Sequence, residues 1–66
     1  MNHIIYRDWT FDKNMNRVET QCRSKVYGTF SQHYPSGVKK MARVWNDRLH
    51  MVIAIRLDTD LVAVID

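Results

Sequence analysis

The sequence predicts a small α+β domain in which an antiparallel sheet packs on one amphipathic helix, with elements in the order β-β-α-β-β. Three patterns predict this fold: strand-like segments in the first half of the chain, a helical stripe of apolar residues after residue 36, and two apolar runs near the C-terminal end. The 66 residues give room for a single domain over residues 1–66. If the helical segment were a strand instead, the fold would be a small all-β barrel.

The first half of the chain predicts two strands. The first is expected over His3–Phe11, where β-branched and aromatic residues are concentrated, and residues 12–16 have the composition of a turn. From Val18 to Phe30, polar residues alternate with apolar or small ones, so the even-numbered residues are expected to face inward and a basic set outward. Cys22 belongs to the inward set, where a free cysteine behaves as a small apolar residue.

The segment after the expected loop Ser31–Gly37 decides the fold class. On a helical wheel, an arc of about 100° holds the apolar residues of this segment, which are Val38, Met41, Ala42, Trp45 and Leu49. The opposite side holds Lys39, Lys40, Arg43, Asn46, Asp47 and His50. A strand would mix the two sets on both faces. The pattern therefore predicts a helix capped by Ser36, with Trp45 in the core-facing stripe.

The C-terminal residues predict a β-hairpin. The apolar runs Met51–Leu57 and Leu61–Ile65 flank Asp58-Thr59-Asp60, and pairing Leu57 with Leu61 places the larger apolar side chains of both runs on one face. The other face is also mostly apolar, and one helix covers only one side of a sheet. Either the sheet curls into a partial barrel, or a second copy or a partner covers this face; a homodimer is the simplest expectation for a chain without disulfides.

The net charge of +3 conceals an uneven distribution. Residues 13–50 contain eight basic and two acidic residues, a local net charge of +6, whereas the two ends together carry −3. Cations beside aromatic rings neutralise phosphates and stack on bases, which predicts a nucleic-acid-binding surface. Its candidate residues are Arg23, Lys25, Tyr27, Tyr34, Lys39, Lys40 and Arg43. The alternative is that these charges are only the solvated faces of a helix and a strand.

The predicted helix start offers a specific anion site. Lys39 and Lys40 would lie in the first turn, where the helix macrodipole disfavours cations. A phosphate held by the free N–H groups after Ser36 and Gly37 would relieve this repulsion. Under this hypothesis, Lys39→Glu weakens anion binding without unfolding the protein.

Other chemistry finds little support in the sequence. Gly28 and Gly37 stand alone, so a glycine-rich phosphate loop is not expected. The potential metal ligands lack the close pairs of a zinc site; they are His3, Cys22, His33 and His50. The Asp58-Thr59-Asp60 triplet is interpreted as a turn. We therefore expect no metal, no cofactor and no enzymatic activity.

A second function class remains open. The chain could be a small protein-binding inhibitor or an antitoxin-like regulator that docks through an exposed sheet face or edge and through Trp9. No apolar run approaches the length of a membrane span, and the N-terminal residues do not resemble a signal peptide. The sequence therefore predicts a cytoplasmic protein without a membrane segment.

Overall fold

The computed structural model describes all 66 residues, and strands account for 71% of them. In chain order the elements are β1 His3–Phe11, β2 Arg17–Tyr34, β3 Gly37–Asn46, β4 Met51–Arg56, α1 Leu57–Asp60 and β5 Leu61–Val64. All pairings are antiparallel, and the strand order across the sheet is β4-β3-β2-β1-β5. The predicted α+β fold is wrong, and the all-β alternative is closer to the structure.

The long strand β2 bends and divides the sheet into two halves. Eighteen residues in a straight strand would span about 60 Å, whereas the longest dimension of the molecule is 34 Å. The ladder between β2 and β3 shifts register between Val26 and Gly28, which makes Tyr27 a bulge residue. The first half of β2 pairs with β1 and the second half with β3, so the first sheet (β5, β1 and the start of β2) folds over the second (the end of β2, β3 and β4).

The core fills the space between these two sheets. Ile4 and Tyr6 from β1 pack against Ala42 and Val44 from β3 and Ile55 from β4. Full burial of an aliphatic or aromatic side chain stabilises a protein by roughly 1.5–3 kcal/mol. Five core residues are few, and Met41 is the sixth buried apolar residue of the chain. The partly buried residues around the core therefore contribute much of the remaining packing; these are Cys22, Val26, Ile53, Leu57 and Leu61. The expectation that Cys22 belongs with the core is confirmed.

The first two of the three β-hairpins follow local turn chemistry. The Asp12 carboxylate accepts hydrogen bonds from the backbone N–H groups of Asn14 and Asn16 at 2.8 and 2.9 Å, which confirms the turn over residues 12–16 and the strand His3–Phe11 before it. The predicted loop Ser31–Gly37 is wrong in extent, because β2 continues to Tyr34 and only two residues form the turn before β3. Gly37 follows this turn with φ +127°, a value that side chains rarely tolerate.

The predicted helix after Ser36 does not form. Residues 37–46 are strand β3, whose inward positions Ala42, Val44 and Asn46 are completely buried. The helical pattern arose because the outward face of this strand also carries large apolar side chains, Met41 and Trp45, so that apolar residues recur three and four positions apart. Because no helix begins here, Ser36 is not a helix cap and the predicted phosphate site at a helix start is wrong.

The predicted C-terminal hairpin is also wrong. β4 pairs with β3, whereas β5 crosses to the other sheet and pairs with β1, with Ile4 opposite Val64. The connection is the single turn α1, which brings Leu57 and Leu61 against the same core four residues apart. No helix in the structure is long and apolar enough to cross a membrane.

The bulge at Tyr27 reverses the alternation of β2. Before it, Ser24 is buried and Val26 packs against the core, as the alternation predicts. After it, Thr29 lies opposite buried Ala42, while Phe30 lies opposite Met41 on the outward face. Directly opposed residues of a ladder share a face. Gly28 likewise lies opposite Arg43 on the outward face, so the inward positions predicted for Gly28 and Phe30 are wrong.

Candidate nucleic-acid interface

The outward face of the second sheet carries a dense set of cations and aromatic rings. We call it the basic–aromatic face; it consists of Tyr27, Phe30, Tyr34, Lys39, Arg43, Trp45 and Arg56 of the second sheet, together with Lys25, which precedes the bend in β2, pairs with His3 of β1 and contacts the Tyr27 ring. The ladder fixes most of these positions, because Phe30, Met41 and Arg56 lie in one row across three strands, and Gln32 and Lys39 lie in another. One face of the sheet therefore carries residues from three strands.

The structure brings together most of the residues selected from the sequence. Lys25, Tyr27, Tyr34, Lys39 and Arg43 belong to the basic–aromatic face. Arg23 continues the outward row of β2 beyond Lys25 and lies opposite Ile5 of β1. Lys40 is the exception: it lies opposite Ser31, on the side of β3 that carries Ala42 and Val44. The sequence grouped Lys39 with Lys40 because a helix would have placed them together, whereas neighbours in a strand point to opposite faces.

Three cations lie over aromatic rings on this face. The Arg43 guanidinium carbon is 4.2 Å from the centre of the Phe30 ring, the Arg56 carbon is 5.6 Å from Tyr34, and the Lys25 ammonium is 5.8 Å from Tyr27. Such contacts within about 6 Å are attractive. They hold the cations in place before any partner arrives, so less side-chain freedom is lost when a phosphate or a base binds.

Arg43 and two cations at the β1 end of the face, Lys25 and Arg23, have no acidic partner. Asp58 accepts two hydrogen bonds from Arg56, at 2.6 and 3.0 Å, and its carboxylate is 4.0 Å from Lys39. The bond from Arg56 holds the pKa of Asp58 below its usual range. None of the ion pairs in the structure includes Arg23, Lys25 or Arg43. These three cations are therefore available for an external anion.

Trp45 lies at one end of the face and is not a core residue as the helical pattern predicted. Its indole N–H donates to the Asp47 carboxylate at 2.9 Å, and its ring meets His50 edge to face, with 6.2 Å between ring centres. The side chain is half-buried. Trp45 therefore presents a ring that is anchored at its polar edge.

A buried polar cluster supports the backbone beneath Trp45. The Tyr6 hydroxyl donates to the Trp45 carbonyl at 2.8 Å, and the Asn46 amide donates to the Tyr6 hydroxyl at 3.1 Å. The Ser24 hydroxyl accepts from the Trp45 N–H at 2.8 Å and donates to the Lys25 carbonyl at 2.7 Å. Burial raises the pKa of Tyr6 well above its usual range, so the phenol stays protonated as a donor. The cluster fixes the strands that carry Lys25 and Trp45.

A salt bridge ties the β3–β4 loop to β1. The Arg48 guanidinium donates to both carboxylate oxygens of Asp8, at 3.0 and 3.2 Å, and to the Trp9 carbonyl at 3.2 Å. The Asp8 side chain is only 11% exposed. The bond from Arg48 holds the pKa of Asp8 below its usual range. This contact attaches the loop next to Trp45 to strand β1.

Trp9, the residue selected as a protein contact, lies on a different surface. It is 36% exposed on the outward face of the first sheet, and the Arg17 guanidinium carbon is 3.9 Å from its ring centre. Phe11 follows two residues later on the same strand and is 62% exposed. Two large aromatic side chains are therefore accessible near the tip of the β1–β2 hairpin.

The candidate residues selected from the sequence did not include Phe30, Trp45 or Arg56 of this face. Phe30 was assigned to the wrong face because the bulge at Tyr27 shifts the alternation, and the alternation pattern alone does not reveal a bulge. Arg56 had a readable signal, because a lone arginine at the end of an apolar strand normally marks the solvent side. Trp45 was assigned to a helix that does not form.

The surface is open, with no enclosed cavity, and no three histidine, cysteine or acidic side chains come together as metal ligands would. The basic–aromatic face is thus a set of cations and aromatic rings on an open sheet surface. Comparison with protein-family models, with curated proteins and with solved structures returned no match, so the functional assignment depends on this face alone.

Proposed function

We propose that this protein binds nucleic acid through the basic–aromatic face and catalyses no reaction. The observation that carries the proposal is the arrangement of cations over aromatic rings on one sheet face, with Arg23, Lys25 and Arg43 free of acidic partners. Phosphates attract such cations, and every base offers a surface that can stack on a ring. The proposal assigns the protein to the cytoplasm, where nucleic acid is accessible.

The residues divide into two roles under this proposal. Arg23, Lys25 and Arg43 contact phosphates, while Tyr27 and Tyr34 stack on bases. Lys39 adds positive charge at the edge, although Asp58 partly neutralises it. With three to five phosphates neutralised on a single strand, the logarithm of the binding constant should fall with the logarithm of salt concentration with a slope of about −2 to −4.

The test is fluorescence anisotropy of labelled single- and double-stranded DNA and RNA, titrated at several salt concentrations. Arg43→Gln should weaken binding about 5- to 30-fold and reduce the steepness of the salt slope by about one phosphate. Lys40→Gln is the matched control, because it removes the same charge from the same strand but from the opposite face.

Two outcomes would contradict the proposal. Absence of binding at low salt would reduce these charges to a solubility role. Equal losses in Arg43→Gln and Lys40→Gln would show that the net charge, and not the face, determines the affinity.

A second candidate function has its own observation. The exposed pair Trp9 and Phe11 fits a protein-binding inhibitor or antitoxin-like regulator, because exposed aromatic residues are typical interface anchors. A homodimer is part of this candidate. A Trp9→Ser, Phe11→Ser double variant should then lose a stoichiometric protein complex, or the dimer mass measured by light scattering, while nucleic-acid binding persists. An unchanged complex and an unchanged mass would remove this candidate.

A further inference from the structure

In one row across the basic–aromatic face, Arg43 has a small residue on each side. Gly28 of β2, Arg43 of β3 and Ala54 of β4 are directly opposed in the ladder. The two flanking residues have no side chain beyond a β-carbon, so the long Arg43 side chain lies between two low positions. We call the low position on β2 the Gly28 recess; it lies between Tyr27 and Phe30 along β2 and opposite Arg43 of β3.

Nothing inside the protein requires glycine at position 28. A β-carbon built there would have no heavy atom within 4 Å, and its φ lies outside the positive range that favours glycine, in contrast to Gly37. A glycine inside a strand weakens that strand and often marks a place where a ligand approaches the backbone closely. The open space at Gly28 lies on the same face as the free Arg43 guanidinium.

The groups around the recess are those that hold a flat ring. Tyr27 is 55% exposed, and the Arg43 guanidinium is held against Phe30 at 4.2 Å. No protein acceptor uses the N–H donors of Arg43, so they remain free for a phosphate or a base edge. A planar base beside Tyr27, lying over the bare backbone of Gly28, would meet both stacking and hydrogen-bonding groups.

A paired base cannot reach this position. In a duplex the bases are stacked, and their edges lie at the floor of grooves about 12 Å or 6 Å wide. Gly28 lies on β2, the edge strand of the second sheet, where a ligand ring has to lie flat on the backbone; in a duplex the neighbouring base pairs cover the flat faces of every base. Only an unstacked base can be laid against the sheet.

We propose that the ligand is a single-stranded nucleic acid and that one of its unstacked bases occupies the Gly28 recess. This inference rests on the nucleic-acid-binding function proposed above. Arg43 holds the adjacent phosphate or the base edge, and Tyr27 and Tyr34 stack the neighbouring bases. The specificity is for strandedness and not for sequence, because stacking accepts every base.

The test uses a substitution that fills the recess and leaves every charged residue unchanged. Gly28→Val adds a β-branched side chain into open space on a strand, so it should fold as well as the parent protein in urea unfolding. Ala63→Val adds two methyl groups at an exposed position of β5 on the first sheet and is the matched control. The probes are a labelled 15-nucleotide strand of mixed sequence, its duplex, and an abasic strand of the same length.

The parent protein should bind the single strand at least 10-fold more tightly than the duplex. Gly28→Val should lose about 10-fold in affinity for the single strand, retain the salt slope, and bind the abasic strand as the parent does. Ala63→Val should behave as the parent with all three probes. Should Gly28→Val prove unstable, Gly28→Ala adds only a β-carbon at the same position and should give a smaller loss in the same direction.

The remaining outcomes separate the two proposals. Equal affinity for single strand and duplex, or equal losses of Gly28→Val on the normal and abasic strands, overturns the recess while nucleic-acid binding stands. Absence of binding to every probe overturns both.

Discussion

The buried polar side chains of this protein form hydrogen bonds with one another and with the backbone. Tyr6 and Asn46 are completely buried, and no buried side-chain nitrogen or oxygen lacks a hydrogen-bond partner. A buried polar group without a partner costs about 1–3 kcal/mol. A 66-residue domain has a total stability of roughly 3–10 kcal/mol, so the loss of one such bond is a large fraction of it.

The contact between Asp8 and Arg48 predicts a pH-dependent contribution to stability. The hydrogen bonds from Arg48 lower the pKa of Asp8 in the folded state. The stabilisation is therefore complete above the unfolded pKa of about 3.9 and is lost as the pH falls through the lower folded value. At neutral pH, Asp8→Asn should lower the free energy of unfolding by about 1 kcal/mol.

Urea unfolding at pH 7 and at successively lower pH values down to 2.5 measures this effect. The difference between the parent and Asp8→Asn should shrink below about pH 4. Asp60→Asn removes a carboxylate without an ion pair and is the control. A difference for Asp8→Asn that stays constant over the whole range would contradict the assigned role of the salt bridge.

Among the elements, β3 shows where a sequence pattern and a structure diverge. The helical wheel placed Val38 in the apolar arc and left Val44 in neither group, yet Val44 is fully buried and Val38 is 58% exposed. The β-branched residues at both positions were a strand signal that the spacing of Met41 and Trp45 outweighed. Apolar residues on both faces of a strand imitate helical spacing over ten residues.

Truncation of the two valines distinguishes the two interpretations. Val44→Ala should lower the free energy of unfolding by about 2–3 kcal/mol, because it leaves a cavity between the sheets. Val38→Ala, the matched control on the same strand, should change it by less than about 0.5 kcal/mol. The reverse ranking would support the helix and contradict strand β3.

For the whole molecule, the sequence predicted local features and missed distant ones. The strand His3–Phe11 and the turn after it depend on neighbouring residues and were predicted with the right bounds. The pairing of β5 with β1 joins Ile4 to Val64 across nearly the whole chain, and no local pattern encodes it. The charged face was only partly predictable, because it needed both the bulge at Tyr27 and the pairing of β3 with β4.

The same long-range topology predicts slow folding. Small all-β domains dominated by distant pairings fold in milliseconds to seconds, whereas domains rich in local helical contacts fold in microseconds to milliseconds. Stopped-flow refolding from urea, followed by tryptophan fluorescence, should give rates in the slower range. A microsecond refolding phase that recovers the full signal would contradict the topology.

The shared strand β2 also determines how the molecule opens. Its first half is a ladder partner of β1 and its second half of β3, so neither sheet can detach without removing the partner of the other. The amide protons of β2 that are hydrogen-bonded to β1 or to β3 should therefore exchange with solvent only when the whole domain unfolds. The edge strands β4 and β5 each have one unpaired side and can fray alone. Hydrogen exchange should therefore show one cooperative unit in which only the edge strands β4 and β5 exchange earlier.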